Sequence, residues 1–201
     1  DDPRVNLHLV DGAAFVRNAQ SGYYDVILQD SSDPFVVEED GTRTSLPSEV
    51  LYQPEHFHNI ARALTVDGVF TFQSETYNIP SSLQGIRDWR TSAMSAGFQS
   101  ARYGTISITS YPTGQIGFFV CRKSRKHDPN FSDTQFELIS KRFQLFHRLV
   151  SYYHPRMQRS CFDLPLWVER YIYDDQNIHS QLCDTSTTNS MKCSHDNIPI
   201  P

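Results

Sequence analysis

Short apolar runs alternate with helix-length amphipathic segments along the first 123 residues, and this alternation restricts the chain to few folds. Val5, Leu7 and Leu9 alternate with polar residues, and Tyr24 to Leu28 form a compact apolar run ending at Asp30. Both patterns predict strands, with a short helix over Ala13 to Ala19 between them. Pro54 to Leu64 carries Phe57, Ile60, Ala61 and Leu64 at helical spacing. Asp67-Gly68 is expected to stop that helix before a strand over Val69 to Gln73. Ser81 to Ala96 predicts a helix with Leu83, Ile86 and Trp89 on one face. Two further strands are expected around Ala101 to Ser110 and Gln115 to Arg122, joined by the turn Tyr111-Pro112-Thr113-Gly114. Alternating βα units closed by a hairpin predict an α/β fold with a mostly parallel, doubly wound sheet.

The polar stretch Glu38 to Ser48, with Asp40-Gly41 and Pro47, interrupts the alternation and predicts a loop or small hairpin. Beyond Lys123, Thr134 to Val150 is expected to be helical, followed by an aromatic-rich stretch from Tyr152 to Tyr173. The expected organisation is an α/β portion over 1–123, a helical extension over 124–175 packing on it, and a disordered tail over 176–201. Ser, Thr and Asn dominate that tail without periodicity.

At 201 residues and 38% hydrophobic content the chain suits one core. Its net charge of -5, with basic residues scattered outside Arg122 to Lys126, argues against a nucleic-acid partner. The sequence holds no apolar run of membrane-spanning length and no signal-peptide pattern, so no membrane partner is expected. Four cysteines without a C-x-x-C spacing predict reduced thiols and a cytoplasmic protein. Because Asp1 runs directly into the first apolar segment, the chain is expected to open inside a domain, as a fragment. His56 and His58, at i, i+2 on different helix faces, are expected to be surface or interface histidines. His179, Cys183, Cys193 and His195 match no zinc spacing, and no metal site is predicted. Trp89 and Trp167 are expected in core or interface packing, and Gly68, Gly97 and Gly114 at helix stops or a turn.

In an open α/β sheet, ligands bind beyond the carboxyl ends of the strands. Here those ends carry Asp11-Gly12, Asp30-Ser31-Ser32-Asp33-Pro34, Gln73-Ser74-Glu75 and, after the penultimate strand, Tyr111. These four segments are expected to converge on one cleft. Several carboxylates and a phenol suit a cationic ligand such as a diamine, whose ammonium groups each offer three N–H donors. Aspartates at strand ends also cap turns and helices, which is the structural alternative for any one of them.

Asp25-Val26-Ile27 followed by Asp30-Ser31-Ser32-Asp33-Pro34 resembles the signature of the polyamine aminopropyltransferases, the family of spermidine synthase. Gln73-Ser74-Glu75 is similar to that family's Gln-x-Glu, and Ser110 to Phe118 resembles its Thr-Tyr-Pro-(Ser/Thr)-Gly-x-Ile-Gly-Phe segment. Tyr152-Tyr153 through Phe162-Asp163-Leu164-Pro165 is similar to its C-terminal motif, so the resemblance covers roughly residues 3 to 172. It implies the C-terminal portion of a Rossmann-like, methyltransferase-type doubly wound sheet with a terminal β-hairpin. It also implies transfer of an aminopropyl group from decarboxylated S-adenosylmethionine, a co-substrate rather than a cofactor, to putrescine or a related polyamine. By resemblance, Asp30 accepts the proton of the attacking amine, Asp33 holds the diamine and Tyr111 hydrogen-bonds to it. Gln73 and Glu75 belong to the same substrate site, Ser31 and Ser32 offer loop contacts, and Asp11 and Gly12 contact the adenine of the sulfonium nucleoside. A homo-oligomer is likewise expected by resemblance.

The chain departs from the pattern at Phe35 and the polar insertion up to Pro47, where the family has x-Gly-Pro-Ala after the proline. The Gly-Gly-Gly-x-Gly donor loop is not in the sequence. The chain alone is therefore expected neither to bind the donor tightly nor to turn over. The alternatives are a noncatalytic paralogue that pairs with and regulates an active aminopropyltransferase, and an S-adenosylmethionine methyltransferase, which the acidic Asp-x-x-Asp loop disfavours.

Overall fold

The computed structural model describes residues 2–38, 42–111, 113–124 and 132–174. The tail from Gln176, with His179, Cys183, Cys193 and His195, lies outside them. Helix α1 (Gly12–Asn18) leads to strand β1 (Tyr24–Gln29), and the polar insertion folds into the antiparallel pair β2 (Phe35–Val37) and β3 (Arg43–Ser45). The Arg43 guanidinium lies 3.6 Å from the centre of the Phe35 ring, which couples the two strands of this small hairpin. A 3-10 segment, Pro47–Tyr52, then leads into α2 (Pro54–Ala63), β4 (Leu64–Ser74), α3 (Leu83–Ser95), β5 (Ser100–Ser107) and β6 (Gln115–Arg122). Helices α4 (Asp133–Phe146), α5 (Pro155–Ser160) and α6 (Leu166–Tyr173) follow.

The main sheet among the described residues has the order β1-β4-β6-β5. Strand β1 is parallel to β4, whereas β6 runs antiparallel to both β4 and β5. The sheet is therefore mixed, not mostly parallel. A short turn can return β6 only antiparallel to β5, and β6 then takes the place beside β4 that a crossover strand would fill.

Two expectations about strands need correction. Residues 5 to 10 form no strand, and Val5, Leu7 and Leu9 are 71%, 76% and 88% exposed. Alternation makes a strand only where a neighbour takes up the backbone hydrogen bonds, and the sheet ends at β1. Strand β4 starts at Leu64, directly after α2, not beyond Asp67-Gly68. Tyr24 pairs with Leu64 but Val26 with Val69, so β4 bulges between these pairs. Gly68 turns this bulge: a Cβ there would lie 2.9 Å from the Leu64 Cβ and 3.0 Å from the Thr65 carbonyl oxygen.

The core is an aromatic column. Phe70 and Phe72 stack at 5.1 Å, Phe72 and Phe119 at 5.0 Å, and Phe57 meets Phe72 edge-on at 5.2 Å. Helix α2 supplies Phe57 and Ile60, and α3 supplies Ile86 and Trp89, all buried. Each such side chain contributes about 1.5–3 kcal/mol by leaving water. Helix α6 packs on α3 through Val168 and Ile172, and the Tyr173 hydroxyl accepts from the Tyr103 backbone N–H at 2.8 Å. Trp89 is in the core, whereas Trp167 is 42% exposed and meets the Tyr77 ring edge-on. Cys121 and Cys161 are free thiols. No helix among the described residues is long and apolar enough to cross a membrane.

Ile172→Ala should lower unfolding stability by about 2–5 kcal/mol, because it opens a cavity between α6 and α3. Leu145→Ala, on the 86% exposed flank of α4, should change it little. Equilibrium urea unfolding measures both, and equal losses would show that α6 does not dock as described.

Candidate functional site

The carboxyl ends of β1 and β4 are neighbours, so residues 30–33 and 73–75 emerge side by side. The Gln73 Nε2 donates to the Asp33 Oδ1 at 3.2 Å, and the Tyr111 hydroxyl donates to the Glu75 Oε2 at 2.6 Å. Four residues from three segments are thereby joined: Asp33, Gln73, Glu75 and Tyr111. Asp30 and Ser32 are exposed on the same loop, and Ser31 is half-buried.

The backing of this loop is the 3-10 segment after the polar insertion. The Gln29 Nε2 donates to the Leu51 carbonyl at 3.2 Å, the Ser31 Oγ donates to the Tyr52 hydroxyl at 3.2 Å, and the Ser48 hydroxyl donates to the Asp33 carbonyl. Behind Gln29 stands His56, whose Nε2 lies 3.0 Å from the Gln29 Oε1. Since the Gln29 amide nitrogen donates to Leu51, its oxygen accepts here, and the His56 proton sits on Nε2. His56 is thus a buried, hydrogen-bonded residue at 5% exposure, not a surface histidine. Its place on the first turn of α2 is closed over by the 3-10 segment. His58 is exposed, as expected, with its Nδ1 2.8 Å from the Pro54 carbonyl oxygen.

Asp11 and Gly12 stand apart from the acidic cluster. The Asp11 carboxylate caps α1 by accepting from the Ala13 and Ala14 N–H groups at 2.8 and 3.1 Å. Gly12 lines a groove of about 550 Å3 with His8, Val10, Phe15, Tyr23 and Tyr24. The charge of Asp11 opposes the lowering of the His56 pKa by burial. Three of the four strand-end segments thus meet, and the Asp11-Gly12 segment stands apart at the start of α1.

Burial shapes the electrostatics. It raises the Glu75 pKa above its ordinary value; the Tyr111 hydrogen bond opposes this and the charge of Asp33 adds to it. Burial likewise raises Tyr111, with Glu75 and Asp33 adding to the effect. Tyr52 is raised first by burial and then by the charges of Asp33, Glu75 and Asp30, with the Ser31 hydrogen bond opposing. Both phenols stay neutral beside the carboxylates. Burial lowers His56, which keeps it uncharged. Among the described residues no group of three or more His, Cys, Asp or Glu side chains could hold a metal ion.

Gly117 explains the glycine of the Gln-Ile-Gly-Phe strand. It faces Ser74 in the register, and a Cβ would fall 2.0 Å from the Glu75 carbonyl oxygen, to which the Tyr103 hydroxyl donates at 2.7 Å. Only glycine lets β6 approach closely enough to hold the main chain of Glu75.

A family model described as the spermine/spermidine synthase domain matches residues 1–132, well over half of the chain. The chain belongs to the spermine/spermidine synthase family. It is 30% identical over 182 residues to spermidine synthase 2 of Arabidopsis thaliana, covering 88% of this chain and 48% of that protein. It is also 30% identical over 174 residues to putrescine N-methyltransferase 1 of Nicotiana tabacum, covering 86% of this chain and 43% of that protein. The chain thus spans about half the length of these curated relatives. A crystal structure of spermidine synthase with the transition state analogue AdoDATO shares the fold, with a TM-score of 0.67 at 24% identity, covering 86% of this chain and 52% of that one.

Family membership accounts for the motifs around Asp30, Gln73 and Tyr111, but the clamp behind them was not foreseen. Gln29, Ser48, Tyr52 and His56 were missed as site residues. The available signal was the i, i+2, i+4 series Gln29, Ser31, Asp33, which places three polar side chains on one side of an extended segment.

A pH series tests the environment of Glu75. Between the ordinary value of 4.5 and the raised folded value, the native state retains a proton that the unfolded state has lost. Stability therefore falls as pH rises through this window. Glu75→Gln should raise the thermal midpoint at pH 7, and the gain should shrink toward zero by about pH 4.5. A gain of the same size at both pH values would contradict a buried, charge-disfavouring site.

Proposed function

We propose that the acidic cluster binds putrescine or a related polyamine, and that the protein's reaction is aminopropyl transfer to it from decarboxylated S-adenosylmethionine. The observation that carries this reading is the joining of Asp33, Gln73, Glu75 and Tyr111 by hydrogen bonds beside the exposed Asp30. A diamine meets such a site by ion pairing and by filling carboxylate lone pairs with N–H donors. Membership in the spermine/spermidine synthase family supports the same assignment.

The reaction needs a neutral amine. An alkylamine with a pKa near ~10.4 is mostly protonated at neutral pH and has no lone pair to attack with. In the proposed step Asp30 takes the proton. The amine lone pair then forms a C–N bond to the propyl carbon next to the sulfonium, the C–S bond breaks, and its electron pair returns to sulfur. The sulfonium leaves as neutral 5'-methylthioadenosine, so alignment and deprotonation are the main catalytic tasks. Asp33 and Glu75 hold the far ammonium, with Tyr111 fixing the Glu75 carboxylate.

The similarity to putrescine N-methyltransferase 1 favours a second reading, methyl transfer to the same amine. An acidic acceptor loop serves both chemistries, so it does not exclude a methyltransferase. The two differ in the donor.

Calorimetric titration with putrescine should show saturable binding, weakened roughly ten- to hundredfold in Asp33→Asn. Incubation of the full-length protein with putrescine and each sulfonium donor, followed by mass spectrometry, should give an aminopropylated product that Asp30→Asn abolishes. A methylated product from S-adenosylmethionine, with none from the decarboxylated donor, would establish the second reading instead.

A further inference from the structure

Tyr52, in the segment that backs the acidic loop, has a side chain whose body belongs to the core. Its side chain is 5% exposed, its ring centre lies 4.9 Å from Trp89 and 6.3 Å from Phe72, and its hydroxyl accepts from the Ser31 Oγ. A phenol oxygen has a second lone pair and a proton of its own, and the described contacts use neither. Phe72 and Ser74 share one face of β4 by the period of two, and the Ser74 hydroxyl is buried without a hydrogen-bond partner. The top of this aromatic layer therefore holds buried polar atoms with unused capacity, a costly condition unless a ligand or water meets them.

We infer that the Tyr52 hydroxyl is a specificity-determining group of the amine slot, accepting an N–H of the ammonium held by Asp33 and Glu75 and selecting a primary ammonium over a secondary one. The inference rests on the proposed amine site. A primary ammonium carries three N–H donors and a secondary one two. Asp33 and Glu75 satisfy two, and the Tyr111 proton is already given to Glu75. Tyr52 supplies the third acceptor, and a secondary ammonium has no N–H left for it. The phenol meets Ser31, two residues before Asp33, whose carboxylate is joined to Gln73 at the end of β4, so it backs the stretch of loop that holds the ammonium. The core contacts make the group rigid, so it is in place before the ligand arrives.

Tyr52→Phe keeps the buried ring and removes only the oxygen. Titration calorimetry of the chain with putrescine and with N,N'-dimethylputrescine, whose nitrogens are both secondary, reads the effect. In the variant putrescine affinity should fall about tenfold, the preference for putrescine over the dimethyl compound should narrow by a similar factor, and the thermal midpoint should stay unchanged. Unchanged putrescine affinity in Tyr52→Phe, or an unchanged preference, would overturn the inference and leave the proposed function standing. A loss of affinity that tracks a lowered midpoint would also overturn it, by showing that the hydroxyl acts through the fold. Failure of the unsubstituted chain to bind putrescine would instead overturn the proposed function, and the inference with it.

Discussion

The stacking of Phe70 and Phe72 against Phe119, Phe57 and Phe98 organises this molecule. Rings of this size leave water only if β4 lies between other strands with helices over its face. Strand β4 therefore takes β1 on one side and β6 on the other, and α2 and α3 cover the column. Everything at the candidate site follows from where β4 ends. Its last residues carry Gln73 to the Asp33 side and Glu75 to the Tyr111 side. The close approach of Gly117 lets β6 and Tyr103 pin the Glu75 carbonyl.

The same column sets the electrostatics. Apolar layers below the cluster remove water from one side of the carboxylates, which raises Glu75 and keeps the phenols of Tyr52 and Tyr111 protonated. A concentration of acidic groups is unfavourable in itself, and on the proposed reading the diamine supplies the balancing charge. The clamp of Gln29, Ser31 and Ser48 onto the segment 47–52 resists the mutual repulsion of the acidic loop. Functional sites of this kind keep local conflicts that the surrounding packing offsets.

The two families of names among the relatives, spermidine synthase and putrescine N-methyltransferase, fit this division of labour. The described cluster has the chemistry to hold an amine, and amine recognition is what the proposed reading asks of it. On that reading, the carbon delivered depends on the sulfonium donor, and Asp11 and Gly12, the residues that resemble a nucleoside contact, stand outside the cluster beside their own groove.

Periodicity in the sequence determined most elements: β1, α2, α3, the closing hairpin and α4 all lie close to where apolar spacing puts them. The strand-end polar residues were also legible, because an α/β sheet directs ligands to those ends whatever its neighbours are. Tertiary structure decided the rest. Alternation at Val5, Leu7 and Leu9 did not produce a strand, since strand formation depends on a partner edge that local pattern cannot supply. The insertion of β6 between β4 and β5 is a long-range pairing, and it alone brings Gly117 against Glu75. Tyr52 and His56 look in sequence like ordinary helix-flanking residues. Only the folding of the segment 47–56 onto the end of β1 buries them behind the acidic loop, because hydrogen bonds across more than 20 residues depend on how two segments pack and not on the spacing within either.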